Sequence, residues 1–145
     1  MLGKLAKTLR LLGYDATYYQ GEDRYQLYRI GRQEARTILT RNTKLLPKRP
    51  EDQIVHILAD RPALQVRELI AKGYVTLDEN AVFSRCLLCN ATLGQIPREN
   101  VEGKVPNYIF YHHQDFFQCP QCGRIYWPGT HQKNMERWVE KLFKL

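Results

Sequence analysis

All four cysteines of this chain fall in two Cys-x-x-Cys pairs, Cys86-Leu87-Leu88-Cys89 and Cys119-Pro120-Gln121-Cys122. Four thiolates carried by two short loops suit a tetrahedral zinc ion, at about 2.3 Å per Zn–S bond. Gly123 follows the second pair directly and favours a tight turn there. The 29 residues between the pairs leave room for an inserted hairpin. The spacing therefore points to a zinc ribbon with Cys86, Cys89, Cys119 and Cys122 as ligands. Two disulfides or a redox dithiol are the alternatives. Sparse cysteine and the lack of a secretory signal disfavour the first, and the matched pairs disfavour the second. A closed four-sulfur shell has no position for substrate, so the expected zinc is structural.

Other reactive or stacking side chains surround the cysteines. His112, His113 and His131 flank the second pair, but four sulfurs already fill the shell, so surface or supporting roles are expected. Tyr108, Phe110, Tyr111, Phe116, Phe117, Tyr126 and Trp127 are expected mainly to pack around the metal loops of a small module. Stacking on unpaired bases is their alternative.

A second set of residues could meet a metal through oxygen. Helices are expected from Leu2 to Leu12, with Leu2, Leu5, Ala6, Leu9 and Leu12 on one face and Lys4, Lys7 and Arg10 off it. A second helix opens at Asp23 and runs through Leu27 and Ile30 to Glu34. A third starts at Pro62, carries Leu64, Leu69 and Ile70, and stops at Gly73. Strands are expected at Ala16, Thr17, Tyr18 and Tyr19, at Thr37, Ile38 and Leu39, and over 54–58. Alternating strands and helices imply a parallel sheet with covered faces. Such sheets bind ligands beyond the carboxyl ends of their strands. There the sequence places Glu22 and Asp23, then Asn42, then Asp60. Converging acids would suit Mg²⁺ or Mn²⁺. Asp23 and Asp60 read equally well as helix caps, and Asn42 is neutral. The tail, with Met135, Trp138, Val139, Leu142 and Phe143 on one stripe, returns to helix and is expected to dock on the body or on a partner.

The net charge of +7 is unevenly placed: residues 1–50 hold eleven Lys/Arg against four Asp/Glu, and residues 51–145 hold eleven of each. A basic half suggests a polyanion partner, most plausibly nucleic acid. Lys4, Lys7, Arg10, Arg41, Lys44, Lys48 and Arg49 are the candidate contacts to phosphate; a solvated surface is the alternative for each. No apolar run approaches the roughly 20 residues a bilayer span needs. A cytoplasmic, reducing location is expected, with no membrane partner.

Read as a whole, the chain resembles the Mut7-C family of PIN-like ribonucleases with a C-terminal zinc ribbon. The resemblance rests on the string from Met1-Leu2-Gly3-Lys4-Leu5 to Gly13-Tyr14-Asp15, on Ile38-Leu39-Thr40-Arg41-Asn42, on Phe83-Ser84-Arg85-Cys86-Leu87-Leu88-Cys89-Asn90, and on Cys119-Pro120-Gln121-Cys122-Gly123 through Trp127-Pro128-Gly129-Thr130-His131. It implies a PIN-like three-layer α/β domain over 1–83, a ribbon over 84–130 and a C-terminal amphipathic helix over 131–145. It also implies metal-dependent RNA cleavage at an acidic cluster, for which Asp23 and Asp60 are the best matches. Two positions depart from the family pattern. An acid-bearing first strand precedes the Met-Leu-Gly-Lys-Leu string in the family and is absent here. The family's Thr-Arg-Asp is here Thr40-Arg41-Asn42. Either the start lies further upstream or the chain is a short form that has kept binding and lost catalysis, a catalytically inactive RNA- or ribosome-binding module. An adaptor that docks a partner through its terminal helix is a third expectation. A sheet lacking a strand would expose an edge open to self-association or to a protein partner.

Overall fold

The structure is a computed structural model that describes residues 2–144; the side chains of Thr130 and His131 lie outside the description. Helix α1 spans Gly3–Leu11 and buries Leu5, Ala6 and Leu9 on the face its leucine spacing predicts, and Leu11 off that face as well. It stops at Gly13, whose φ is +95° and where a Cβ would sit 2.4 Å from the Ala81 carbonyl oxygen. Only glycine fits that turn. Helix α2, Arg24–Gln33, is capped by Asp23, whose carboxylate accepts the Tyr25 N–H at 2.9 Å. Strands β1 (Ile38–Thr40) and β2 (Ile54–His56) pair in parallel, with Leu39 opposite Val55. Helix α3, Pro62–Ala71, begins with the expected proline.

Beyond residue 83 the architecture changes to an antiparallel sheet. Strand β3 (Gly94–Ile96) leads through a short 3₁₀ turn to helix α4 (Asn107–His112), then to β4 (Phe116–Gln118) and β5 (Ile125–Tyr126). The strand order is β3-β4-β5. Ile96, Val101, Val105, Ile109, Phe110 and Phe116 form a core of their own, with Ile125 and Trp127 against it. Arg98 lies 4.0 Å over the Phe110 ring and donates to the Phe110 and His113 carbonyls. The aromatic residues thus divide: Phe110, Phe116 and Trp127 pack, while Tyr108 and Tyr111 stay exposed.

The chain ends in α5, Thr130–Phe143. Its Val139 and Leu142 are buried in one cluster with Leu5, Leu9, Val55, Ile57, Val66 and Leu69, and Met135 and Phe143 pack on it. All of the tail stripe but Trp138, which stays exposed, therefore docks on the body, beside α3, where Arg67 donates to the Lys141 carbonyl. The other face of the parallel sheet carries Ile38 and Ile54 against Leu27, Tyr28 and Leu45. Helices and loop thus cover both faces of a small parallel sheet, and the fold is mixed α/β. No helix among the described residues is long and apolar enough to cross a membrane.

One expected strand does not form. Residues 16–19 carry β-favouring side chains yet run without strand pairing. The Ala16 N–H donates to the Asn90 side-chain oxygen, and the Ala16 carbonyl accepts from Arg10. At Ala16, side chains from elsewhere have taken the backbone groups a sheet neighbour would need. The strand expected over 54–58 also ends early, at His56. The Leu58 and Ala59 N–H groups turn instead to the Glu68 carboxylate, at 3.0–3.1 Å.

Candidate metal centre

The four cysteines converge. Their sulfurs all lie within 4.8 Å of one another, and all four thiols are free. Ligands of a tetrahedral ion with Zn–S bonds near 2.3 Å stand about 3.8 Å apart. Cys86 Sγ and Cys122 Sγ, from different pairs, are 3.8 Å apart. Cys86 and Cys119 are buried, Cys89 half-buried and Cys122 exposed. The set could hold a zinc ion, and its geometry matches one.

Both loops are built alike. The Cys86 N–H donates to the Ala91 carbonyl and the Asn90 N–H to the Cys86 carbonyl; the Cys119 N–H donates to Arg124 and the Gly123 N–H to Cys119. The residue after each second cysteine is left-handed, Asn90 at φ +68° and Gly123 at φ +78°. This conformation turns the chain back so that both sulfurs of a pair face one point. The Cys89 N–H points at Cys86 Sγ, 3.4 Å away.

Electrostatics favour a charged sulfur at Cys86. Burial pushes its thiol up, but hydrogen bonds from the Tyr126 hydroxyl and the Cys89 and Leu88 backbones, with a further one to Cys119, outweigh burial and bring it down to about 6. Cys89 is pushed up to about 12, first by its hydrogen bond with Cys122 and then by burial. Burial and the neighbouring Cys86 hold the Tyr126 phenol protonated, so it donates to Cys86 Sγ at 3.2 Å. Close sulfurs resist ionising together; a divalent cation among them removes that penalty and deprotonates its ligands.

The first loop is tied to the N-terminal half. Arg10 Nη1 donates to the Leu87 carbonyl at 2.7 Å and reaches Leu88, while its Nε holds Ala16 at 2.7 Å. Arg85 donates to the Gly13 and Asn90 carbonyls. Asn90 completes the seam, accepting from Ala16 and donating to Asp15 Oδ1 at 2.6 Å. The Asp15 carboxyl sits below its usual range because of hydrogen bonds from Arg36 first and Asn90 second, with burial opposing them. Two strings that lie some 75 residues apart in the sequence are therefore direct hydrogen-bond partners.

The oxygen-bearing candidates are placed differently. Asp23 caps α2. Asp60 is exposed beyond β2. The Asn42 side-chain oxygen accepts the Lys44 N–H at 3.0 Å and so shapes the turn that leaves β1. Among the described residues, the four cysteines are the one group of three or more His, Cys, Asp or Glu side chains placed to share an ion. Neither His112 nor His113 joins them, and His131 has a side chain outside the description.

The basic candidates occupy separate elements. Lys4 and Lys7 are exposed on α1, whereas Arg10 is half-buried in the seam just described. Lys44, Lys48 and Arg49 belong to the loop that packs on α2 through Leu45, across the parallel sheet from α1. Lys48 lies 4.6 Å over the Tyr25 ring, and Arg41 is half-buried at the end of β1. Three contributors to the centre escaped sequence reading in their roles: Tyr126, Arg85 and Asn90. Proximity in sequence to a cysteine was the available signal for Arg85 and Asn90. Nothing local marked Tyr126 as the donor to Cys86.

The family model of the Mut7-C RNAse domain covers residues 1–139. No curated protein and no solved structure matches the chain. The matched span takes in α1, the parallel sheet, both cysteine loops and most of α5, so the chain belongs to the Mut7-C RNAse domain family.

Proposed function

We propose that this protein acts on RNA as a metal-dependent ribonuclease of PIN-like type, its ribbon held by one structural zinc ion. The observation that carries the reading is the near full-length match to an RNAse domain family. A parallel sheet with helices against both of its faces supports a PIN-like, three-layer domain over 1–83. In this reading Asp60 and Asp23, with Asn42, would hold Mg²⁺ or Mn²⁺, which would supply an activated water for phosphodiester cleavage. Lys4, Lys7, Lys44, Lys48 and Arg49 contact the phosphates, together with Arg41. Cys86, Cys89, Cys119 and Cys122 hold the zinc, which orders residues 84–130 and does no chemistry.

A second reading has its own support. Asn42 offers an amide where a carboxylate would bind a cation more strongly, and its oxygen is engaged in a turn. The protein would then be an RNA- or ribosome-binding module without catalysis. One experiment separates the two: incubation of end-labelled single-stranded RNA with the purified protein and Mn²⁺ or Mg²⁺. The ribonuclease reading expects cleavage that disappears in Asp60→Ala. Asp23→Ala should lose it too, but that variant also removes a helix cap worth about 1 kcal/mol. Absence of cleavage, with RNA binding that weakens steeply as salt rises, supports the binding module. Absence of both contradicts any action on RNA.

A further inference from the structure

Residues 24–49 hold eight Lys/Arg and one acid, Glu34. Part of that charge is spent inside the fold: Arg36 pairs with Asp15 and Glu34, and Arg32 with Asp52. Arg24, Arg29, Lys44 and Lys48 are exposed and in no ion pair among the described residues. Arg49 is exposed as well and reaches Glu51 only at 4.0 Å.

The spent residues bring the free ones together. On α2, Tyr25, Tyr28, Arg29 and Arg32 stand at i, i+3, i+4 and i+7 and so share one stripe. The loop that joins β1 to β2 has no helix or strand of its own, yet it is pinned to this stripe. The Tyr28 hydroxyl donates to the Leu46 carbonyl, and Leu45 is buried against Tyr28. Arg32 grips both oxygens of Asp52, at 2.8 and 2.9 Å, and Asp52 also accepts the Lys48 and Arg49 N–H groups at 2.9 and 3.0 Å. Lys48 Nζ consequently lies 4.6 Å from the centre of the Tyr25 ring and 5.1 Å from that of Tyr28. Tyr25 itself is 75% exposed, so packing does not account for a large ring there. Leu27 and Ile30 of the same helix line a separate groove beside β1.

We propose that this face, the Tyr25–Arg29 side of α2 with its pinned loop, is where single-stranded RNA binds. Arg24, Arg29, Lys44, Lys48 and Arg49 take its phosphates, and one unpaired base stacks on the open Tyr25 ring. The cations would draw in any polyanion. An exposed ring set among them adds a π-face that an unpaired base can use and an acidic peptide or a duplex leaves idle. Arg32, Tyr28 and Asp52 are positioning residues that hold the loop against the helix. The inference rests on RNA as the ligand, as proposed above, and it holds whether or not the chain cleaves that RNA.

The test measures anisotropy of an unstructured, fluorescein-labelled oligoribonucleotide on the intact chain, without added Mg²⁺ or Mn²⁺. Inorganic polyphosphate serves as a second probe, by competition. Replacing two cations together, Arg24→Gln with Arg29→Gln, should weaken RNA binding at least about tenfold at about 0.1 M salt and flatten the slope of log Kd against log salt by about 1.4. Tyr25→Ala should weaken RNA about tenfold and leave polyphosphate unchanged, and Tyr25→Phe, which keeps the ring, should bind as the parent does. Every substituted side chain is exposed, so the core is untouched. Lys104→Gln with Arg124→Gln removes equal charge from the ribbon and should change binding less than about twofold. A ribbon pair that costs as much as the helix pair would overturn the proposal and leave RNA as the ligand. So would RNA binding indifferent to Tyr25→Ala, or equal losses for RNA and polyphosphate in that variant. No RNA binding by the unaltered chain would overturn it together with the function proposed above.

Discussion

After Cys89 the left-handed position is held by Asn90; after Cys122 it is held by Gly123. The backbones of the two loops follow the same hydrogen-bond plan, so the difference lies in what each side chain then does. Asn90 spends its amide on Ala16 and Asp15, and Arg10 and Arg85 stitch the same loop to the turn after α1. At Gly123 a Cβ would meet nothing closer than the Gln118 amide at 4.0 Å, and Cys122 is exposed. One loop is therefore a joint between the two halves of the molecule, and the other is a free tip. Both loops carry sulfurs that could hold a metal, and the choice of asparagine or glycine marks which of them also builds a tertiary interface.

The largest expected effect comes from breaking the joint at its sulfur. Cys86→Ser should lower bound zinc from about one equivalent toward zero and unfold the ribbon, since structural zinc contributes roughly 10–16 kcal/mol to such modules. It should also loosen residues 13–16. Cys122→Ser should weaken zinc binding while leaving those residues protected. Zinc content and amide hydrogen exchange on the two variants check this.

Next in size is Arg10→Met. It leaves carbonyls of Ala16 and Leu87 without their charged donor, and a loss of about 2–3 kcal/mol in urea denaturation is expected. Arg124, exposed on the free loop, is the control: Arg124→Met should change stability by no more than about 0.5 kcal/mol. Equal effects would erase the distinction between joint and tip.

Swapping the left-handed residues gives a smaller effect. Asn90→Ala loses both side-chain hydrogen bonds and the tolerance for positive φ, and should cost about 2 kcal/mol. Asn90→Gly restores the backbone freedom but not the bonds, and should cost about 1 kcal/mol. Gly123→Ala should cost about 1 kcal/mol through the backbone alone.

The smallest effect is in pH. The folded Asp15 carboxyl lies below its ordinary value, so its contribution is fully present above the unfolded value near 3.9 and is lost as pH falls through the folded one. The difference in urea midpoint between wild type and Asp15→Asn should therefore be constant from about pH 7 to 5 and shrink below about pH 4.

Much of this organisation is legible locally. Leucine spacing gives α1, Asp23 and Pro62 open α2 and α3, and the tail stripe buries Val139 and Leu142 as its period requires. The cysteine pairs announce their own geometry. What local pattern could not supply is competition from distant residues. Ala16, Thr17, Tyr18 and Tyr19 have strand-forming character, but strand propensity is settled by neighbours, and here Asn90 and Arg10 claim the Ala16 backbone. Arg10 lies off the leucine face, so periodicity places it in solvent. Its long side chain instead reaches a carbonyl 77 residues further along. The candidate oxygen-bearing residues do not stand out for a similar reason, because an acid at a strand end serves equally as a helix cap, and Asp23 is one.

The most direct test of the joint is hydrogen exchange at Ala16 and Phe83 before and after zinc is removed by a chelator. The Ala16 N–H is held by Asn90 and the Phe83 N–H by the Leu11 carbonyl, both beside the first cysteine loop. If that loop joins ribbon to sheet, both amides lose protection together with those of 86–91. Full protection at Ala16 and Phe83 while the cysteine loops exchange freely would show that the two halves stand independently, and would contradict the account.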